Sequence, residues 1–196
     1  MLFIGRLFLF LTLQKNFDMK LENLLAKKRS GIIKKWRGVV VGSYPSGTQR
    51  FFAKEKDQFA NPVGYTIDKE IEVLYDEIMK EGDSDKIASC LDSIIRVRAV
   101  QDFKPSQAVS FVLQLKNVIR EAIEGEAPLN GLSGELQTLE NRIDQIALLA
   151  FDTYSQCRQK IYEIRVNEVK NHLGKLLEMA NLTIEIPELE PDLSEK

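Results

Sequence analysis

Asp68, Glu70, Glu72, Asp76 and Glu77 crowd one short stretch of this 196-residue chain. Carboxylates so close together are the raw material of a metal site or an acid–base pair. To hold a cation they need partners from another element and a recess that excludes water. Without those they form the solvated face of a helix, on which Glu72 and Asp76 stand one turn apart. The single histidine, His172, lies beside Asn171 near the end of the last helical pattern, far along the chain from these carboxylates. One histidine so placed supports no Ser-His-Asp or Cys-His nucleophile and no histidine-based metal cluster. Cys90 and Cys157 fall on separate helical patterns with no CxxC spacing, and read as reduced core thiols of a cytoplasmic protein. Neither GxGxxG nor GxxxxGK[ST] occurs to cradle a nucleotide phosphate. The residues therefore nominate no catalytic group, cofactor or metal, and no enzyme is expected.

Cations could still bind. The net charge is −2, yet between Met19 and Lys56 ten Lys or Arg face two acids. Lys27, Lys28, Arg29, Lys34, Lys35 and Arg37 surround Trp36. Such a patch is a solvated helix face, a contact with lipid or a membrane protein, or a nucleic-acid stripe. Trp36 falls on the apolar side and reads as core, which favours the solvated face; peripheral contact with a membrane complex stays open and no nucleic-acid partner is expected. A second set, Arg96, Arg98, Asp102, Lys104 and Arg120, gathers around the junction of two helical patterns. It either fixes that corner, with Arg98 and Asp102 four residues apart on a helix surface, or forms a docking surface for a protein partner or an anion.

The elements that must position these groups are helical throughout, with no alternating strand pattern, so the fold class is all-α. Leu21, Leu25, Ile32, Trp36 and Val39 recur at helical spacing up to about Gly42, with a break expected at Ser30-Gly31. A charged helical piece spans Thr48 to Phe59, and Asn61-Pro62-Val63-Gly64 is expected to end it. Ile67, Ile71, Leu74 and Ile78 stripe a helix from about Thr66 to Glu81, and Ile87, Leu91, Ile94 and Ile95 stripe the next. Pro105 opens a fifth that buries Ala108, Phe111, Val112, Leu115, Ile119 and Ala122. Glu124 to Gly134 reads as a loop.

From Ser133 the apolar rhythm continues through Leu136, Leu139, Ile143, Ile146, Ala150, Tyr154, Cys157, Ile161, Ile164, Val169, Leu173 and Leu176, with no proline before Pro187. Forty-five helical residues run about 67 Å at about 1.5 Å each, whereas a compact domain of this length is roughly 40 Å across. The helix must then project or bend. Projecting, it would leave a wet apolar stripe, so Tyr154, Ile161, Ile164, Val169, Leu173 and Leu176 are the candidate seam of a homodimer; the alternative is that the helix folds back on its own domain. Residues 181–196 read as an acidic flexible tail. MLFIGRLFLFLTL at the start is too short to span a bilayer and lacks a signal-peptide cleavage pattern. Met19 begins the helical pattern cleanly, so residues 1–18 read as a non-native extension or a disordered one.

Three stretches carry a resemblance: RVRAVQDFKPSQAVSFVLQLKNVIRE from Arg96 to Glu121, DQFANPVG from Asp57 to Gly64, and RGVVVGSYP from Arg37 to Pro45. Over roughly Met19 to Ala180 the chain resembles the N-terminal domain of RsbR/RsbRD-type RsbT co-antagonists. The resemblance implies a non-haem, globin-like helical bundle that serves bacterial regulation in stress or energy metabolism. Dimerisation and docking to a protein partner are implied with it. In that family the domain precedes a STAS domain; this sequence ends where one would begin, so a stand-alone sensory or docking module is expected. A globin would hold iron through a histidine well before its last helix, and none stands there. The alternative reading is a small-ligand sensor whose pocket takes the haem position without haem.

Overall fold

The computed structural model describes residues 2–55, 57–80, 82–101, 103–124 and 132–180, with side chains from Leu21 onward. Six helices and no strand occupy the described residues: α1 (Leu2–Gly42), α2 (Ser46–Lys54), α3 (Pro62–Met79), α4 (Ser84–Val100), α5 (Pro105–Ile123) and α6 (Ser133–Met179). The chain divides into two units, Met1–Arg158 and Gln159–Lys196. The acidic tail lies outside the described residues, and α1 runs across Met19.

The core of the first unit is the sum of the stripes, except that Val40 is buried in place of the expected Val39 and Ile123 in place of Ala122. Ile32, Trp36 and Val40 of α1 are buried with Ile71, Leu74 and Ile78 of α3, Leu91, Ile94 and Ile95 of α4, and Val112 and Leu115 of α5. α1 packs against α5 and α3, and α3 against α4. Trp36 stacks on Phe111 with ring centroids 6.1 Å apart, and its indole N–H donates to the Phe111 carbonyl at 2.7 Å. That bond is what lets a tryptophan be wholly enclosed.

Two expected punctuation marks behave differently. Ser30-Gly31 does not break α1; a helical glycine costs about 1 kcal/mol, while burial of Ile32 and Trp36 on the same helix returns several times that. Asn61-Pro62 starts α3 rather than ending α2, which stops at Lys54. The Asn61 side chain accepts from the Gly64 N–H at 2.9 Å and donates to the Glu55 carbonyl at 2.9 Å, and Pro62 takes the first helical position, where its missing donor costs nothing. Asp83 caps α4 through the Asp85 N–H at 2.9 Å, and Pro105 opens α5 as read.

α6 buries Leu139, Ile143, Ile146, Ala147, Ala150 and Tyr154 in the first unit. Polar tethers fix it there. Arg142 donates to the Ile78 carbonyl at the end of α3 at 2.7 Å, Arg158 to the Ala99 carbonyl near the end of α4 at 3.0 Å, and the Tyr154 hydroxyl to the Phe103 carbonyl.

Candidate functional site

The α4–α5 corner is built around Arg98, in the last turn of α4. Its spacing left it either fixing the corner or on a docking surface, and it is fully buried. One guanidinium nitrogen donates to Ser43 Oγ at 2.6 Å and to the Gln107 carbonyl at 3.2 Å, tying the end of α1 and the start of α5 to α4. Aromatic faces enclose the rest, with Phe103, Phe111 and Tyr44 centroids at 4.5, 5.4 and 5.6 Å. Such faces stabilise a desolvated cation, though burial still pulls its pKa down. Arg98 Nε and Nη1 and the Tyr44 hydroxyl have no hydrogen-bond partner among the described residues. Asp102, the expected pair of Arg98, lies outside them.

The remaining cations of that set are spread apart. Arg96 is exposed and paired to Asp92, one turn back, at 2.6 Å. Lys104 is an exposed residue at the N-cap of α5. Arg120 grips Glu140 of α6 with two bonds, 2.5 and 2.8 Å, which hold the Glu140 carboxyl below its usual pKa. Arg120 thus clamps α6 onto α5, and Lys116 repeats the clamp on Asp144 at 2.5 Å. Arg98 and Arg120 thus hold helices together, while Arg96 and Lys104 lie exposed.

The acidic stretch of α3 is similarly spent on structure. Arg29 of α1 meets Asp76 with two bonds at 2.7 and 2.8 Å and Glu72 at 2.9 Å, which lowers the Asp76 pKa, and Arg37 pairs with Asp68. Arg29, Lys35 and Arg37 of the basic patch accordingly tie α1 to α3 and α5, Lys35 reaching Glu121. Among the described residues no three His, Cys, Asp or Glu side chains gather as metal ligands would, and no helix is long and apolar enough to cross a membrane. Cys90 is buried, and burial, seconded by a hydrogen bond to Glu70, pushes its thiol up to about 12, so it has no thiolate character.

In the second unit α6 runs on from Gln159 to Met179 with almost every side chain exposed. Of the expected seam, Tyr154 is buried in the first unit and Ile161 is half-buried; Ile164, Val169, Leu173 and Leu176 are exposed. These do not share one face. At 100° per residue Val169, Leu173 and Leu176 align with Tyr162 and Val166, and Ile164 points to the opposite side. Tyr162, Val166, Val169, Leu173 and Leu176 follow a 4-3-4-3 spacing, the d-a-d-a-d rhythm of a coiled-coil seam. Val169 is 66% and Leu176 58% exposed. Tyr162 and Val166 lie off the face that buries residues 139–154, so the apolar row changes phase along α6 and the spacing of its first half does not reach them.

The family model for the RsbT co-antagonist protein RsbRD N-terminal domain matches residues 30–169, well over half the chain. The chain belongs to this family. An RsbRD N-terminal domain is a regulatory signalling domain, and the matched span holds the Arg98 corner, the Arg37–Asp68 pair and the Arg120–Glu140 clamp. The chain is also similar to an uncharacterized protein of Archaeoglobus fulgidus, 27% identical over 89 residues, which are 45% of this chain. The match spans 55% of that relative's length. No solved structure matches.

The segment Asp57–Asn61 is a tight turn in which Asp57 Oδ1 accepts from the Phe59 and Ala60 N–H groups at 2.9 and 3.0 Å and the Asn61 N–H donates to the Asp57 carbonyl at 2.8 Å. The turn holds Phe59 out into solvent at 91% exposure. Its signal in the sequence is a phenylalanine two residues after an Asx-turn aspartate, outside any helical stripe.

Proposed function

We propose that this domain is a non-enzymatic regulatory adaptor of the cytoplasm that pairs with a second copy through α6 and docks on a protein partner. A globin-like helical frame and a role in stress or energy-metabolism control go with this reading. The observation that carries it is the exposed Tyr162–Leu176 row. A helix of about twenty residues with an apolar row open to water is marginal alone, and burying a Val or Leu side chain contributes about 1.5–3 kcal/mol. A second copy offers the same row in return.

Phe59 is the anchor this reading assigns to the partner: an exposed aromatic on a pre-set turn pays little ordering entropy on binding. Phe59→Ala should leave mass and melting unchanged and weaken partner capture. The pairing is tested by sedimentation of the full chain. We expect the mass of two chains, converted to one by Val169→Asp or Leu173→Asp and left at two by Ile164→Asp on the opposite side. A wild-type monomer, or a dimer indifferent to Val169→Asp, overturns the proposal.

A further inference from the structure

The first unit contains a cavity of about 780 Å³ that the adaptor reading does not use. Leu21, Leu25 and Ala26 of α1, Tyr75 and Met79 of α3 and Leu139 of α6 form its apolar wall. The volume falls in the range of pockets that hold drug-sized molecules, and an apolar wall with a few polar groups is the usual composition of such pockets. It is a cleft open to solvent on one side, with Leu21, Leu25, Tyr75 and Leu139 as its buried wall.

The charged wall groups decide what could fill it. Glu22, Asp76 and Glu135 are matched in number by Arg29, Lys80 and Arg142. Arg29 is taken up by Asp76 and Glu72, Arg142 gives Nη1 to the Ile78 carbonyl, and Glu135 Oε2 accepts from the Leu21 N–H at 3.2 Å. Lys80 and Glu22 stand exposed at the mouth; a charge carried past them would have to break one of these bonds or lie against buried Leu21, Leu25 and Leu139 without a counter-charge, at a cost in desolvation. The Tyr75 hydroxyl, directed to the Leu25 carbonyl at 3.5 Å, is kept protonated because burial pushes its pKa up to about 12, so this wall stays neutral too.

We propose that this cavity is a binding site for an uncharged, mainly apolar small molecule. Its body lies against Leu21, Leu25 and Leu139, and a hydrogen-bonding end sits at the mouth beside Lys80 and Thr138. In a regulatory domain such a site receives a chemical signal, a role separate from pairing through α6.

The test is fluorescence titration of the full chain with N-phenyl-1-naphthylamine, a neutral probe, and with 8-anilino-1-naphthalenesulfonate, which has the same aryl frame with an added anion. Ala26 is exposed on the wall, so Ala26→Trp fills the space without disturbing the core. Thr138→Trp serves as a second filler, and Ala53→Trp on α2 is the control for an added surface tryptophan. We expect saturable binding of the neutral probe at one site per chain, at least tenfold weaker binding of the sulfonate, and at least tenfold loss of neutral-probe affinity with either filler but not with Ala53→Trp. Sedimentation mass should be the same for all three variants, which separates this site from the α6 row. Neutral-probe binding that is absent, or that survives both fillers, overturns the site; sulfonate binding as tight as the neutral probe overturns the ligand class.

Discussion

Arg98 is a cation with no acid among the described residues to balance it, held by neutral oxygens and three rings. Replacing it with an apolar side chain of similar length removes a desolvation cost along with two hydrogen bonds, so Arg98→Met should change stability by about 1 kcal/mol or less. Arg98→Ala leaves a hole among Tyr44, Phe103 and Phe111 and should cost roughly 2–4 kcal/mol. Chemical denaturation of both variants measures the difference; equal losses would mean the charge itself is required. Gly64 is needed for a different reason. A Cβ there would come within 2.2 Å of the Asn61 side chain that caps α3. Gly64→Ala should cost about 1 kcal/mol by displacing the cap, and should cost nothing or even stabilise in an Asn61→Gly background, where the obstacle is gone. The Glu140 carboxyl, held below its usual pKa by Arg120, contributes stability above the unfolded Glu value of about 4.3 and loses it as the pH falls through the lower folded value. The melting temperature of Glu140→Gln should therefore fall less steeply than wild type between about pH 5 and 3, and parallel curves would show that the clamp carries no linkage.

At the scale of elements, α6 has two characters in one helix. Up to Tyr154 its apolar side chains are buried in the first unit, and Arg142 and Arg158 tether it to α3 and α4; from Tyr162 to Leu176 its apolar row is exposed. The flanking charges discriminate between the two ways of pairing it. With Val166 and Leu173 at a and Val169 at d, a parallel pair sets Arg165 at g against Lys170 at e of the other copy, a repulsion made twice. Arg158, the preceding g position, is committed to the Ala99 carbonyl. An antiparallel pair instead brings Glu163 to Lys170 twice and stacks Tyr162 on Leu173. In a Cys157→Ser background, Tyr162→Cys mixed with Leu173→Cys should form a disulfide-linked heterodimer, while each variant alone forms none, since like positions would be eleven residues, about 16 Å, apart along the axis. Rapid self-linking of Tyr162→Cys would establish the parallel arrangement.

For the molecule as a whole, the stripes that fill a core were readable because burial imposes the helical period: Ile71, Leu74 and Ile78, or Leu91, Ile94 and Ile95, lie where their spacing put them. Proline and glycine were less readable, since Pro62 can end one helix or open another and only the Asn61 cap decides it. Charges were least readable. Arg98, Arg120 and Arg29 carry the same formal charge, but one is enclosed by rings, one clamps a neighbouring helix and one bridges two carboxylates, and sequence spacing does not encode which. The cavity was invisible for a related reason: it is volume that three stripes leave between them. What joins the scales is α6, an element that is buried in a folded unit at one end and carries an exposed apolar row at the other. Hydrogen exchange of the amides from Gln159 to Met179, followed against protein concentration, tests this most directly. Pairing through α6 predicts protection that is strong at high concentration and lost on dilution, while the amides around Ile143 to Ala150 stay protected throughout. Fast exchange from Gln159 onward at every concentration would contradict it.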